Sequence, residues 1–248
     1  MAILIAYLLY ALLLTLLLAL RGLGRRVPRP SGAKAAEPAR VLIIGATGGT
    51  GRCLVAQALD RGHEVTALVR DASKLAIEHP RLRIMKGDVL DAASVDAAVR
   101  GQDAVVSALG HKRFLGPSSI LSEGTRNVIA AMETHGVGRL VCETSLGIGS
   151  TAGRMGLQYT LFVLPVILPF HFYDKTRQER LIAASSLDWV IVRPAALTDD
   201  QGRGECRSGQ DIGSFVTTAK IARADVARFM LDQLAESSNL GSAIGICS

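Results

Sequence analysis

The clearest chemical signal in the chain is the heptapeptide Gly45-Ala-Thr-Gly-Gly-Thr-Gly51. It follows the short apolar run Arg40–Ile44 and precedes Leu54, Val55, Ala58 and Leu59 at helical spacing, closed by Gly62. Gly45, Gly48 and Gly51 allow a tight turn and a close backbone approach, so a helix N-terminus can face a pyrophosphate. Three glycines alone are a weak signal; their position between a strand and a helix makes them a dinucleotide-binding one. A second candidate position is Arg70-Asp71, at the end of the next apolar run, Glu64–Val69. An acid there takes the adenosine ribose hydroxyls of NAD, whereas an arginine suits the 2′-phosphate of NADP. Arg70 lies 19 residues beyond Gly51 and Asp71 one further, so NADP is expected and NAD is the alternative.

These residues need a scaffold of alternating strands and helices. The runs 82–86, 103–107, 138–143, 187–192 and 243–247 read as strands, separated by helical patterns over 92–100, 118–135 and 223–234. Repeated βα units predict an α/β fold, a Rossmann-like doubly wound parallel sheet with right-handed crossovers. Its ligands are expected at the carboxyl ends of the strands. The polar, glycine-rich stretch 202–213 reads as a loop near the substrate mouth. Cys53, Cys142, Cys206 and Cys247 lack C-x-x-C spacing and fit a reducing compartment, and no His or carboxylate cluster suggests a metal.

The glycine turn, Arg70, Gly87-Asp88, Asp174-Lys175, Glu179 and the block Ser186-Leu-Asp-Trp-Val-Ile-Val-Arg-Pro194 together resemble the atypical short-chain dehydrogenase/reductase superfamily. Within it they resemble the NAD(P)H-binding, NmrA-like and flavin/biliverdin-reductase-like group, over about residues 40–248. The resemblance implies that Gly45, Thr47, Gly48, Gly49, Thr50 and Gly51 line the pyrophosphate and that Arg70 meets the 2′-phosphate. It implies that Asp88 and Val89 border adenine, that Ala108, Leu109 and Gly110 border the inner ribose, and that Pro194, Ala195 and Leu197 lie near nicotinamide.

Catalytic members of the wider superfamily use Tyr-x-x-x-Lys, since i and i+4 share a helix face. Here Lys175 has His171 at i−4, and Tyr173 is two residues away. Lys175 is still expected to hold the ribose, and Thr144 and Ser145 stand where the superfamily places its serine. Three proton sources remain open. His171 could replace tyrosine, because imidazole titrates near neutral pH. Tyr173 could reach the site if the helix begins after it, or water could protonate the product. Glu179, four residues beyond Lys175, reads as its helix-surface partner.

The N-terminus has a different chemistry. Residues Ala2–Leu20 carry no charge, and Thr15 is their one small polar side chain. Nineteen helical residues cover roughly 28 Å, about the hydrocarbon core of a bilayer. A cleaved signal peptide is disfavoured: no Lys or Arg precedes the run, the run is long, and no Ala-x-Ala site follows. Arg21, Arg25, Arg26 and Arg29 follow it, which predicts a single-pass anchor with the larger domain cytoplasmic. The chain divides into an anchor (1–20), a basic Pro/Gly linker (21–39) and a Rossmann domain (40–248). The formal charge is +6, and +5 of it lies within residues 21–40, where anionic lipid is the expected partner. The remaining domain is near neutral and aromatic residues make up only 4% of the chain, so nucleic acid is not expected. The uncharged stretch 157–170, broken by Pro165 and Pro169, reads as a substrate lid or an apolar interfacial flap admitting a quinone or isoprenoid.

Two function classes follow. One is a membrane-anchored, NADPH-dependent reductase of a small or lipophilic carbonyl, quinone or flavin-type substrate. The other is a non-catalytic NAD(P)H-bound accessory subunit or assembly factor in a membrane redox complex.

Overall fold

A computed structural model describes residues 2–20, 39–111 and 116–248. The basic linker and most of the charged segment expected to meet anionic lipid therefore lie outside the described residues. Strands β1 (Arg40–Ile44), β4 (Ala104–Ser107), β5 (Arg139–Glu143) and β6 (Asp188–Pro194) are buried at nearly every position. Continuous burial of both faces requires helices on both sides of a parallel sheet. The main sheet runs β3-β2-β1-β4-β5-β6-β10-β8, with β2 (Glu64–Val69), β3 (Leu82–Lys86) and β10 (Ser242–Cys247) parallel to the others and β8 (Arg207–Gly209) antiparallel at one edge.

Alternating side chains of β1 feed two cores. Val41 and Ile43 join α2 (Gly49–Asp60) and α6 (Arg223–Asp232) through Leu54, Val55, Val226 and Met230. Leu42 and Ile44 face α3 (Ala92–Val99), α4 (Ile120–His135) and α5 (Pro169–Ala184) through Val95, Val128, Met132 and Ile182. The strand order switches from one side of β1 to the other at β4, the two strands staying parallel, and their carboxyl ends open the crevice that receives ligands in such sheets.

Three sequence expectations change. The stretch 202–213 is not wholly a loop, because it contains β8, hydrogen-bonded to β10. A second, two-stranded sheet of β7 (Ala196–Thr198) and β9 (Lys220–Ala222) escapes the sequence reading, since three residues are too few for a period-2 pattern. The stretch 157–170 contains a π-helix, Tyr159–Ile167, that leads into α5. Because α5 begins at Pro169, Tyr173 lies inside the helix, which removes the expectation that the helix starts after it.

The N-terminal helix α1 (Ala2–Leu20) has the length and mean hydropathy, 2.7 over Ile3–Leu20, of a membrane segment. Ala11 and Leu18 are buried and Leu14 packs on the same core, while Leu4, Leu8, Leu12, Leu16 and Leu20 are exposed.

Candidate functional site

The turn between β1 and α2 is shaped by glycine at two positions. Gly45 has φ +80°, and a Cβ there would collide with the Ala108 carbonyl. A Cβ at Gly51 would collide with the Gly45 carbonyl. The turn closes through the Gly48 amide, which donates to the Gly45 carbonyl at 2.9 Å. Gly48 is the N-cap of α2, and its own side-chain-free position offers no cap. First-turn amides without a side-chain acceptor are the groups that an anion takes, so this cradle suits a pyrophosphate. The helix begins at Gly49, within the glycine run itself.

Thr47 is half-buried at the rim, whereas Thr50 is buried and turns its hydroxyl inward to Glu143, Oγ1 to Oε1 at 3.2 Å. Its side chain thus serves the interior, leaving only its backbone for phosphate. Arg70 is exposed at the end of β2. Asp71 is engaged locally: its carboxylate caps the short 3-10 turn Ala72–Lys74 by accepting from the Ser73 amide at 3.1 Å and hydroxyl at 2.7 Å. Those bonds hold the Asp71 carboxyl below its ordinary range. Asp88, half-buried after β3, accepts from the Leu90 amide at 3.0 Å, and Val89 is buried beside Gly124. Ala108, Leu109 and Gly110 follow β4, with Ala108 against the glycine turn. At the end of β6, Pro194 and Ala195 are buried, while Leu197 is half-buried in β7.

Lys175 is not a solvated helix charge. It is buried, and Nζ donates to the Thr144 carbonyl at 2.7 Å, just beyond β5. Burial pushes its ammonium pKa down, opposed by the Glu143 and Glu179 carboxylates and their neighbours. Burial likewise pushes Glu143 up, with Lys175 opposing. Ser145 is half-buried one residue past Thr144. Glu179 is corrected from a surface partner of Lys175 to a buried residue, because it accepts from Arg193 at 2.9 and 2.7 Å and from Thr144 Oγ1 at 2.7 Å.

His171 lies 3.3 Å from His111, Nδ1 to Nε2. Burial first, then Lys175 and His111, push its pKa down to about 3. Burial thus works against an imidazolium at His171, contrary to the expectation of an imidazole titrating near neutrality. Tyr173 is 49% exposed, two residues from Lys175 and on another side of α5.

Sequence reasoning missed His111, Glu143, Arg193 and Arg223. A charge ending an otherwise apolar strand was the available signal for Glu143 and Arg193. Arg223 opens α6 and lies against Gly49 while pairing with exposed Asp199 at 2.6 Å, so a second cation borders the phosphate cradle. Nothing local in the sequence marks His111, which only the fold brings to His171.

A parallel Rossmann-like sheet with a glycine turn at its crevice and a buried lysine after β5 defines a dinucleotide-binding domain of the short-chain dehydrogenase/reductase type. The chain belongs to the NAD(P)H-binding family, whose model matches residues 45–237. It is 30% identical over 203 residues to the uncharacterized protein YwnB of Bacillus subtilis, covering 79% of this chain and 92% of that one. It is 31% identical over 179 residues to a chloroplastic uncharacterized protein of Arabidopsis thaliana, At2g34460, covering 68% of this chain and 63% of that protein's length. The solved structure of ChuY, an anaerobillin reductase from Escherichia coli O157:H7, is similar with TM-score 0.68 and 26% identity, covering 84% of this chain and 96% of that one.

Proposed function

We propose that the chain is a membrane-anchored, NADPH-dependent reductase of a lipophilic carbonyl, quinone or flavin-type acceptor, with its domain on the cytoplasmic face. The observation that carries this reading is Lys175, buried beside the β5 terminus with its amine on the Thr144 carbonyl, next to an NAD(P)H cradle. Local use of Asp71 as a cap favours NADPH over NADH, because Arg70 is then the charge offered at the adenosine end. The reductase relative ChuY supports the reaction class.

When bound, NADPH supplies a hydride. Lys175 would hold the ribose of the bound nucleotide through its amine, which the Thr144 carbonyl positions. Neutral His171, backed by His111, donates a hydrogen bond to the acceptor atom on which charge develops. Burial disfavours an imidazolium at His171, so the proton that completes the reduction is assigned to water. Anionic lipid around residues 21–40 reinforces the anchor.

A second reading keeps one specific observation in its favour. Tyr173 is exposed and His171 is neutral, so no ordinary acid stands at the tyrosine position. That suits an accessory subunit or assembly factor of a membrane redox complex, with NAD(P)H as ligand. The test is NADPH oxidation by the full chain in lipid nanodiscs against carbonyl, flavin and prenylated quinone acceptors. Turnover supports the reductase; tight NADPH binding without turnover across the panel supports the accessory subunit.

A further inference from the structure

The contact between α1 and the π-helix Tyr159–Ile167 has a specific chemistry. The Tyr7 hydroxyl donates to the Leu161 carbonyl, and the Tyr10 hydroxyl donates to the Pro165 carbonyl at 3.3 Å. Both acceptors lie four residues before a proline: Leu161 before Pro165, and Pro165 before Pro169. Proline has no N–H, so neither carbonyl has an α-type partner four residues on, and the π-helix pairs a carbonyl with the amide five residues on, as the Leu168 amide does with the Val163 carbonyl. Each phenol brings a donor from outside the helix, and the Tyr7 ring also stacks on Phe162 with centroids 6.2 Å apart.

The docking runs along α1 rather than at its end. Besides Tyr7 and Tyr10, Thr15 lies near Gly153, Leu14 packs on the domain core, and Leu18 is buried in it. From Tyr7 to Leu18 the helix advances roughly 16 Å, all of it beside the domain. A helix crossing the bilayer upright would pull those domain residues deep into the hydrocarbon. One lying along the leaflet keeps the domain outside and turns its other side, Leu4, Leu8, Leu12 and Leu16, to lipid. Phe162, Val166, Phe215 and Val216 continue the exposed apolar surface, at 58, 57, 59 and 75% exposure.

We infer that α1 does not cross the bilayer but lies within the cytoplasmic leaflet, docked by Tyr7 and Tyr10 to the π-helix, so that both are embedded together. The occupant of this apolar face is lipid, and the π-helix, which leads into His171, forms the entrance for a lipophilic acceptor. This inference rests on the membrane-anchored reading and replaces a crossing anchor with an embedded one.

The experiment uses the full chain with an N-terminal epitope tag in sealed vesicles that carry the domain outside, treated with protease. In parallel, Phe162→Trp and Leu12→Trp variants are placed in nanodiscs of phosphatidylcholine and phosphatidylglycerol with brominated acyl chains. Trp189, buried in the core, gives the constant background emission. The inference expects the tag to be digested with the domain and both new tryptophans to be quenched, roughly twofold. A tag protected while the domain is cut overturns it and leaves a crossing anchor in place. Quenching at Leu12→Trp without quenching at Phe162→Trp also overturns it, with a protein subunit then the cover for the π-helix. Quenching at neither site rejects the membrane anchor itself, the outcome that separates failure of the function reading from failure of this one. Adding Tyr7→Phe and Tyr10→Phe should cut quenching at Phe162→Trp by about half while leaving Leu12→Trp quenched; unchanged quenching at Phe162→Trp excludes the phenols as the tie.

Discussion

Arg193 holds Glu179 through two hydrogen bonds, Nε to Oε1 at 2.9 Å and Nη2 to Oε2 at 2.7 Å, with both side chains sealed from water. Glu179 also takes the Thr144 hydroxyl, and the Thr144 carbonyl takes Lys175. A buried ion pair thus sets the loop on which the lysine rests. Removing one partner leaves a buried charge alone, which costs about 3–5 kcal/mol, whereas replacing both with apolar residues is far milder. Thermal melts should show Arg193→Met well below wild type and Arg193→Met with Glu179→Met partly restored. A single variant that melts like wild type would contradict the pair's role.

Under the proposed function, cofactor choice rests on Arg70. With Asp71 engaged at Ser73, Arg70→Ala should weaken NADPH binding by about 10- to 100-fold, the range of a lost charge-assisted bond. NADH binding should barely change. Fluorescence titration of both nucleotides checks this, and equal losses for the two would contradict the 2′-phosphate assignment.

The glycine turn admits no side chain at Gly45 or Gly51. Gly51→Ala places a Cβ on the Gly45 carbonyl and should abolish nucleotide binding. Gly62→Ala, where a Cβ meets open space but φ is +92°, should cost stability without affecting the titration.

The His171 pair gives acid sensitivity. The folded pKa, about 3, lies below the unfolded value of 6.5, so between these values the unfolded chain binds a proton that the folded one refuses. Stability is complete above about pH 6.5 and declines as pH falls toward 3. The decline is about 1.4 kcal/mol per pH unit, or about 2 kcal/mol at pH 5. Melts of wild type and His171→Phe over pH 7.5 to 5 should diverge, the variant losing this part of the slope. Parallel profiles would show that His171 is not held neutral by the fold.

The sheet was legible because its strands are apolar runs bounded by glycine turns, and β1, β2 and β3 begin and end where the sequence reading put them. The glycine turn was legible for the same local reason. What escaped depended on distant partners. Glu179 looks like a surface neighbour of Lys175 until Arg193 arrives from β6. His111 meets His171 across 60 residues. Nothing near Tyr7 and Tyr10 in the sequence marks their role, because their acceptors lie more than 150 residues away. The π-helix has no sequence period of its own, and Pro165 within it and Pro169 just after it suggested a broken lid.

The proposed reductase stands or falls with Lys175. The most direct measurement is the NADPH oxidation rate of the full chain in nanodiscs over carbonyl, flavin and prenylated quinone acceptors, wild type against Lys175→Met. Turnover with at least one lipophilic acceptor is expected, with a loss of about a hundredfold or more in the variant. Wild-type protein that binds NADPH yet oxidises none of it across the panel, or a variant that turns over as fast as wild type, would contradict it.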